Sequence, residues 1–101
     1  MARDPDRAVR MRVAQRLEMP ALLRMVDDPD ADVRRIVAEC LPIALLSRLA
    51  RDTDWRVRWE VAQRADQHTL EAMHNDDEPE VRQAVRERLK KNVTRIGVAH
   101  V

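Results

Sequence analysis

Asp28-Pro29-Asp30-Ala31-Asp32-Val33-Arg34-Arg35-Ile36-Val37-Ala38 reads as the opening of an amphipathic helix. Asp28 suits an N-cap, Pro29 the first helical position and Asp30 an acid in the first turn. Val33, Val37, Ala38 and Leu41 then fall at i, i+4, i+5 and i+8, which is helical spacing. What decides the fold is that the stretch recurs. Val9-Arg10, Val33-Arg34, Val57-Arg58 and Val81-Arg82 stand 24 residues apart without a slip. The same register holds Asp4, Asp28, Asp52 and Asp76; Val13, Val37, Val61 and Val85; and Leu17, Leu41, Ala65 and Leu89. Further on it holds Leu22, Leu46 and Leu70, then Met25, Leu49 and Met73, with Met1 one period earlier. A fixed period of this length marks a repeat array.

Units therefore start near residues 4, 28, 52 and 76 of a single repeat domain spanning 1–101. Asp4-Pro5-Asp6 repeats the Asp28-Pro29-Asp30 start, Asp52-Thr53-Asp54 keeps its acids, and Asp76-Asp77-Glu78-Pro79 moves the proline by two. Each helix is expected to stop at Glu18-Met19-Pro20, Pro42 or Asp66-Gln67-His68. About ten residues then remain before the next unit, too few for a second helix of average length. The three-residue spacing of Leu22 and Met25, or Leu46 and Leu49, favours a 3₁₀ or single-turn helix there. The expected fold is all-α, a solenoid in which one α-helix alternates with one short 3₁₀ helix. The last unit degrades, with Arg86 in the alanine column and Thr94 in the leucine column, and residues 90–101 read as a tail.

The Asp-Pro-Asp-x-x-Val-Arg-x-x-Val-Ala core with its trailing Leu-x-x-Leu or Leu-x-x-Met resembles the leucine-rich repeat variant family over residues 1–89. HEAT-like repeats share the Val-Arg-x-x-Val-Ala core; the 24-residue period is what points to the variant family. The resemblance implies a right-handed solenoid of alternating α- and 3₁₀-helices with no β-sheet. The best-known members, from nitrogen-fixing bacteria, also carry an N-terminal iron–sulfur domain with four cysteines, which this sequence lacks.

The chain has 101 residues, 37% of them charged and 45% hydrophobic, with a formal net charge of +1. That balance gives no global attraction to nucleic acid or a membrane, and no apolar run approaches the ~20 residues of a membrane helix. A single cysteine, Cys40, excludes an internal disulfide framework and suggests a reducing, cytoplasmic setting. An array that opens at Met1 without a polar N-terminal cap is expected to self-associate there or to form part of a longer array.

On a helical projection Arg10, Arg34, Arg58 and Arg82 fall inside the apolar arc, with Asp6, Asp30, Asp54 and Glu78 four residues before them. A ladder of such pairs would fix the register between units, since a buried arginine needs a carboxylate. Cys40 lies in the column of Arg16, Arg64 and Arg88; with His68, His74 and His100 it forms no metal-ligand spacing, so no cofactor is expected. Trp55 and Trp59 lie just outside the apolar arc, in columns that otherwise hold mostly polar residues. They are candidate hot spots for a protein partner, with Met11 and Arg35 extending the patch and Arg35 able to stack on Trp59. The alternative is that both rings lie flat on the next unit and seal it. Residues 82–95 hold Arg82, Arg86, Arg88, Lys90, Lys91 and Arg95 against Glu87, read as a polar cap or as a site for an anionic partner.

The sequence thus indicates a non-catalytic scaffold for protein–protein interaction. The alternatives are a nucleic-acid-binding HEAT-like module and, from the family resemblance alone, an accessory to a metalloenzyme or nitrogen-fixation system.

Overall fold

A computed structural model of the chain describes residues 7–16 and 19–100, with side-chain surroundings given for 7–15 and 19–92. The described residues form helices joined by turns and short irregular links, with no strand. Four long helices, α1 (Arg7–Arg16), α3 (Ala31–Cys40), α4 (Trp55–Arg64) and α6 (Pro79–His100), alternate with short segments. These are α2 (Ala21–Arg24) running into the 3₁₀ turn η1 (Met25–Asp27), the 3₁₀ helix η2 (Ile43–Leu49), and α5 (Gln67–Ala72). The long helices stack in chain order: α1 on α3, α3 on α4, α4 on α6. The extents of 58 × 27 × 17 Å and the radius of gyration of 15.1 Å exceed the ~13 Å of a compact chain of this length, so the stack is elongated.

The helix starts differ from the sequence expectation by two residues. Asp30 is the N-cap of α3 and accepts a bond from the Asp32 amide at 2.8 Å; Asp54 does the same for α4 with the Arg56 amide at 2.9 Å. Pro29 therefore precedes the helix, whereas Pro79 is the first residue of α6, where its missing N–H costs nothing. Asp28, expected as the cap, instead accepts the Asp30 amide at 2.9 Å, and Asp52 and Asp76 repeat this with Asp54 and Glu78.

The short elements are less uniform than expected. Pro42 precedes η2, whose Leu46 and Leu49 are buried at the three-residue spacing of a 3₁₀ face. In the third unit α4 stops before Asp66 as expected, but Asp66 then caps an α-helical turn, accepting the Thr69 amide at 2.9 Å, so Gln67 and His68 open α5. The final helix runs 22 residues to His100, through the span read as a tail.

Val33, Val37, Ala38 and Leu41, then Val57, Val61, Ala62 and Ala65, are 0% exposed, and Val81 and Val85 continue the row. Each such valine or leucine contributes roughly 1.5–3 kcal/mol of transfer free energy. Val13 departs from its column: it is 44% exposed where Val37, Val61 and Val85 are fully buried. Its helix packs on α3 from one side, while α3 and α4 are each enclosed between two long helices. Met1, Asp4, Asp6 and Leu17 lie outside the described residues.

Candidate functional site

Three arginines of the ladder, Arg10, Arg34 and Arg58, reach forward to an aspartate of the next unit. Arg34 donates from Nε to Asp52 Oδ2 at 2.8 Å and from Nη2 to Oδ1 at 3.1 Å. Its Nη1 donates to the Asp28 carbonyl at 2.8 Å. Arg58 repeats the arrangement with Asp76 at 2.8 and 3.1 Å and with the Asp52 carbonyl at 2.7 Å, and adds Asp77 at 3.1 Å. Arg10 reaches Asp28 through Nε at 3.1 Å, and Arg82 holds the Asp76 carbonyl at 2.7 Å. The expected partners four residues back, Asp30 and Asp54, are occupied in capping; Asp6 lies outside the described residues. Asp52 and Asp76 are only 6 and 7% exposed, and their bonds hold Arg34 and Arg58 further toward the charged form, against the cost of burial. A bidentate fork with its third edge on a carbonyl satisfies most of the guanidinium, as a buried arginine requires.

A second arginine row was not anticipated. Arg64 donates to the Ala38 carbonyl at 2.7 Å, and Arg88 to the Ala62 and Ala65 carbonyls at 3.0 and 2.9 Å. Each places a cation on the C-terminal carbonyls of the preceding long helix, where partial negative charge accumulates. The signal was the recurrence of arginine at 16, 64 and 88. Cys40 holds the equivalent place in α3; burial and then the neighbouring Glu39 push its thiol up, so it stays protonated and a poor nucleophile.

Two clefts, of about 450 and 410 Å³, open on the loop side and are lined by Arg58 with Asp76 and by Arg34 with Asp52. In each cleft the arginine–aspartate pair of the ladder is already bonded, and Arg51 lines both. Among the described residues no group of His, Cys, Asp and Glu is placed to hold a metal ion. His68 is exposed, and His74 pairs through Nδ1 with the Glu71 carbonyl at 2.8 Å. Among the described residues no helix is long and apolar enough to cross a membrane.

The outer face of the long helices is where the units differ. Trp55 and Trp59, at the first and fifth positions of α4, are each 37% exposed, so each side chain is partly covered and partly open to solvent. Met11, in the column of Trp59, is half-buried. Arg35, in the same column, meets carboxylates rather than an indole: Asp32 at 3.6 Å and Glu60 at 3.5 Å. Its Nε is buried with no acceptor among the described residues. Burial, then the like charge of Glu39, raises the Glu60 carboxyl despite Arg35. Two of the six cations in residues 82–95, Arg82 and Arg88, are taken up by backbone carbonyls, leaving Arg86, Lys90 and Lys91 exposed on α6. Arg95 lies outside the described side chains.

A family model of the HEAT repeat matches residues 19–44, the span from the end of the first unit through α3. That match and the stacked helices indicate a helical repeat protein, of a kind that commonly acts as a protein-interaction scaffold. No match was found among curated proteins or among solved structures.

Proposed function

We propose that the chain is a non-catalytic scaffold, a right-handed solenoid of 24-residue units of the leucine-rich repeat variant type, which holds a protein partner against the outer face of its long helices. The observation that carries this reading is the exposed pair Trp55 and Trp59. The core columns of α4 are already filled by Val57, Val61 and Ala62, so the stack does not need the solvent-exposed part of either tryptophan. Large aromatic side chains of this kind dominate protein interfaces.

A photo-crosslinking residue at exposed Gln63 or Gln83 tests the reading in native extract. A specific crosslinked protein is expected, lost when both tryptophans become alanine, with each ring worth roughly 2 kcal/mol of affinity. Crosslinking that persists in the double variant, with helical content intact, rejects this face. The alternative, a nucleic acid along α6, draws on Arg86, Lys90 and Lys91 and predicts a salt-dependent affinity that these three cations control. An accessory role to a metalloenzyme has only the family resemblance behind it.

A further inference from the structure

The α4–α6 seam repeats the α1–α3 seam 48 residues later, and its outer positions differ in charge. In the first seam Arg7, the opening residue of α1, bridges two acids at the start of α3: Asp30 at 3.9 Å and Asp32 at 3.3 Å. In the middle unit Asp54, the counterpart of Asp30, is held by Arg56 at 3.2 and 3.0 Å. Both of these acids thus have a cation supplied by the chain.

Adding 48 to Arg7, Asp30 and Asp32 gives Trp55, Glu78 and Glu80. The acids remain, the arginine has become a partly exposed tryptophan, and a second acid, Glu80, stands where the middle unit has Arg56. Among the described residues neither Glu78 nor Glu80 forms a salt bridge; hydrogen bonding to Glu80 instead raises the Glu78 carboxyl. A parallel exchange accompanies it. The Arg35–Glu60 ion pair, at 3.5 Å, has Trp59 and Ala84 as its counterparts one unit on, and Ala84 is only 8% exposed. Relative to the first seam, then, Arg7 has become Trp55, and relative to the middle seam Arg35 has become Trp59, while the carboxylates Glu78 and Glu80 are kept.

A partly exposed indole on α4 and two carboxylates that bond each other but, among the described residues, no cation, in the register of Arg7, Asp30 and Asp32, complement one chemistry, a cation with a flat or apolar body. We infer that the α4–α6 seam docks an arginine- or lysine-bearing segment of a protein partner, its cation lying over Trp55 at Glu78 and Glu80. The partner's side chain fills the place that Arg7 fills in the first seam. This rests on the proposed scaffold function and adds the chemistry of the partner. The same carboxylates repel a phosphate backbone from this spot.

The test is a titration of the whole chain, followed by tryptophan emission, with three acetylated and amidated leucine-rich peptides of equal length that carry arginine, glutamine or glutamate at the same positions. The arginine peptide is expected to bind about tenfold tighter than the glutamine peptide, and the glutamate peptide to give no shift. Glu78→Gln with Glu80→Gln should abolish that advantage with the helical spectrum unchanged. Trp55→Arg, which supplies the cation from within the chain, should abolish it too. Equal affinity for the arginine and glutamine peptides, or an arginine advantage that survives the double glutamine variant, overturns the inference while leaving an interaction face in place. No emission change with any peptide overturns it as well, and the crosslinking experiment then decides the scaffold reading separately.

Discussion

The first seam of the stack, α1 on α3, and the last, α4 on α6, use the same columns but are built to different standards. At the last seam the Arg58 fork is 13% exposed and bidentate to Asp76, and Arg88 closes the end of α4 with bonds to two carbonyls. At the first seam the Arg10 guanidinium is 22% exposed, and Val13 is 44% exposed where Val61 is buried. Cys40 also stands where the later units place a capping arginine. The outer face shows the reverse: the first seam has Arg7 paired with acids, whereas the last shows partly exposed tryptophans. Inner columns serve the stack, so each departure there weakens a joint. Outer columns can change at little cost to folding, and there a change is informative about binding.

The largest expected effect separates the two arginine forks. Arg58→Ala should destabilise by about 3–5 kcal/mol in urea unfolding, because Asp76 is left buried without its cation. The more exposed Arg10→Ala should cost about half of that or less. Equal losses would show that the seams are equally firm.

The capping row comes next. Arg88→Ala removes charged bonds to two carbonyls and should cost about 1–2 kcal/mol. Cys40→Arg, which restores the row in α3, should add about 0.5–1 kcal/mol and slow amide exchange at the end of α1. Failure of Cys40→Arg to protect α1 would mean that the first helix is limited by something other than its missing cap.

The smallest effects are in pH dependence, and their signs oppose. The Arg56 side chain, then its amide, holds the Asp54 carboxyl low. Its stabilisation is present above the unfolded value of about 3.9 and lost as pH falls through the lower folded value. Glu60 is raised, so its contribution is complete below the unfolded value of about 4.3 and lost as pH rises through the folded one. Relative to the parent, Asp54→Asn should therefore lose stability at neutral pH, and Glu60→Gln should gain there. A Glu60→Gln variant that is less stable at pH 7 would show that its pairing with Arg35 outweighs its burial.

Much of this was legible in the chain. The recurrence of Val9, Val33, Val57 and Val81 located the long helices, and the apolar columns located most of the core. The wrong arginine partners arose from reading each helix alone, where Asp30 lies beside Arg34 in projection. One signal was available: the Asp28, Asp52 and Asp76 column keeps aspartate in every unit while Asp30, Asp54 and Glu78 vary in length. Asp52 and Asp76 each accept both an amide and an arginine, and Asp28 does so at the first seam. The longer Glu78 directly precedes α6, whose start at Pro79 differs from that of α3.

The sequence by itself determined what depends on local spacing: the period, the helical runs, most of the buried face and, to within two residues, the acids that start the helices. Those follow from 3.6-residue periodicity and from capping, which act within one unit. Only the tertiary structure decided which groups meet across seams, Arg34 with Asp52 and Arg64 with the Ala38 carbonyl, and the partial cover that leaves Trp55 and Trp59 each 37% exposed. The reason is geometric. Neighbouring helices bring together groups 18 to 26 residues apart in the chain, and a long guanidinium bonds to acceptors on the neighbouring unit that still have a lone pair to offer.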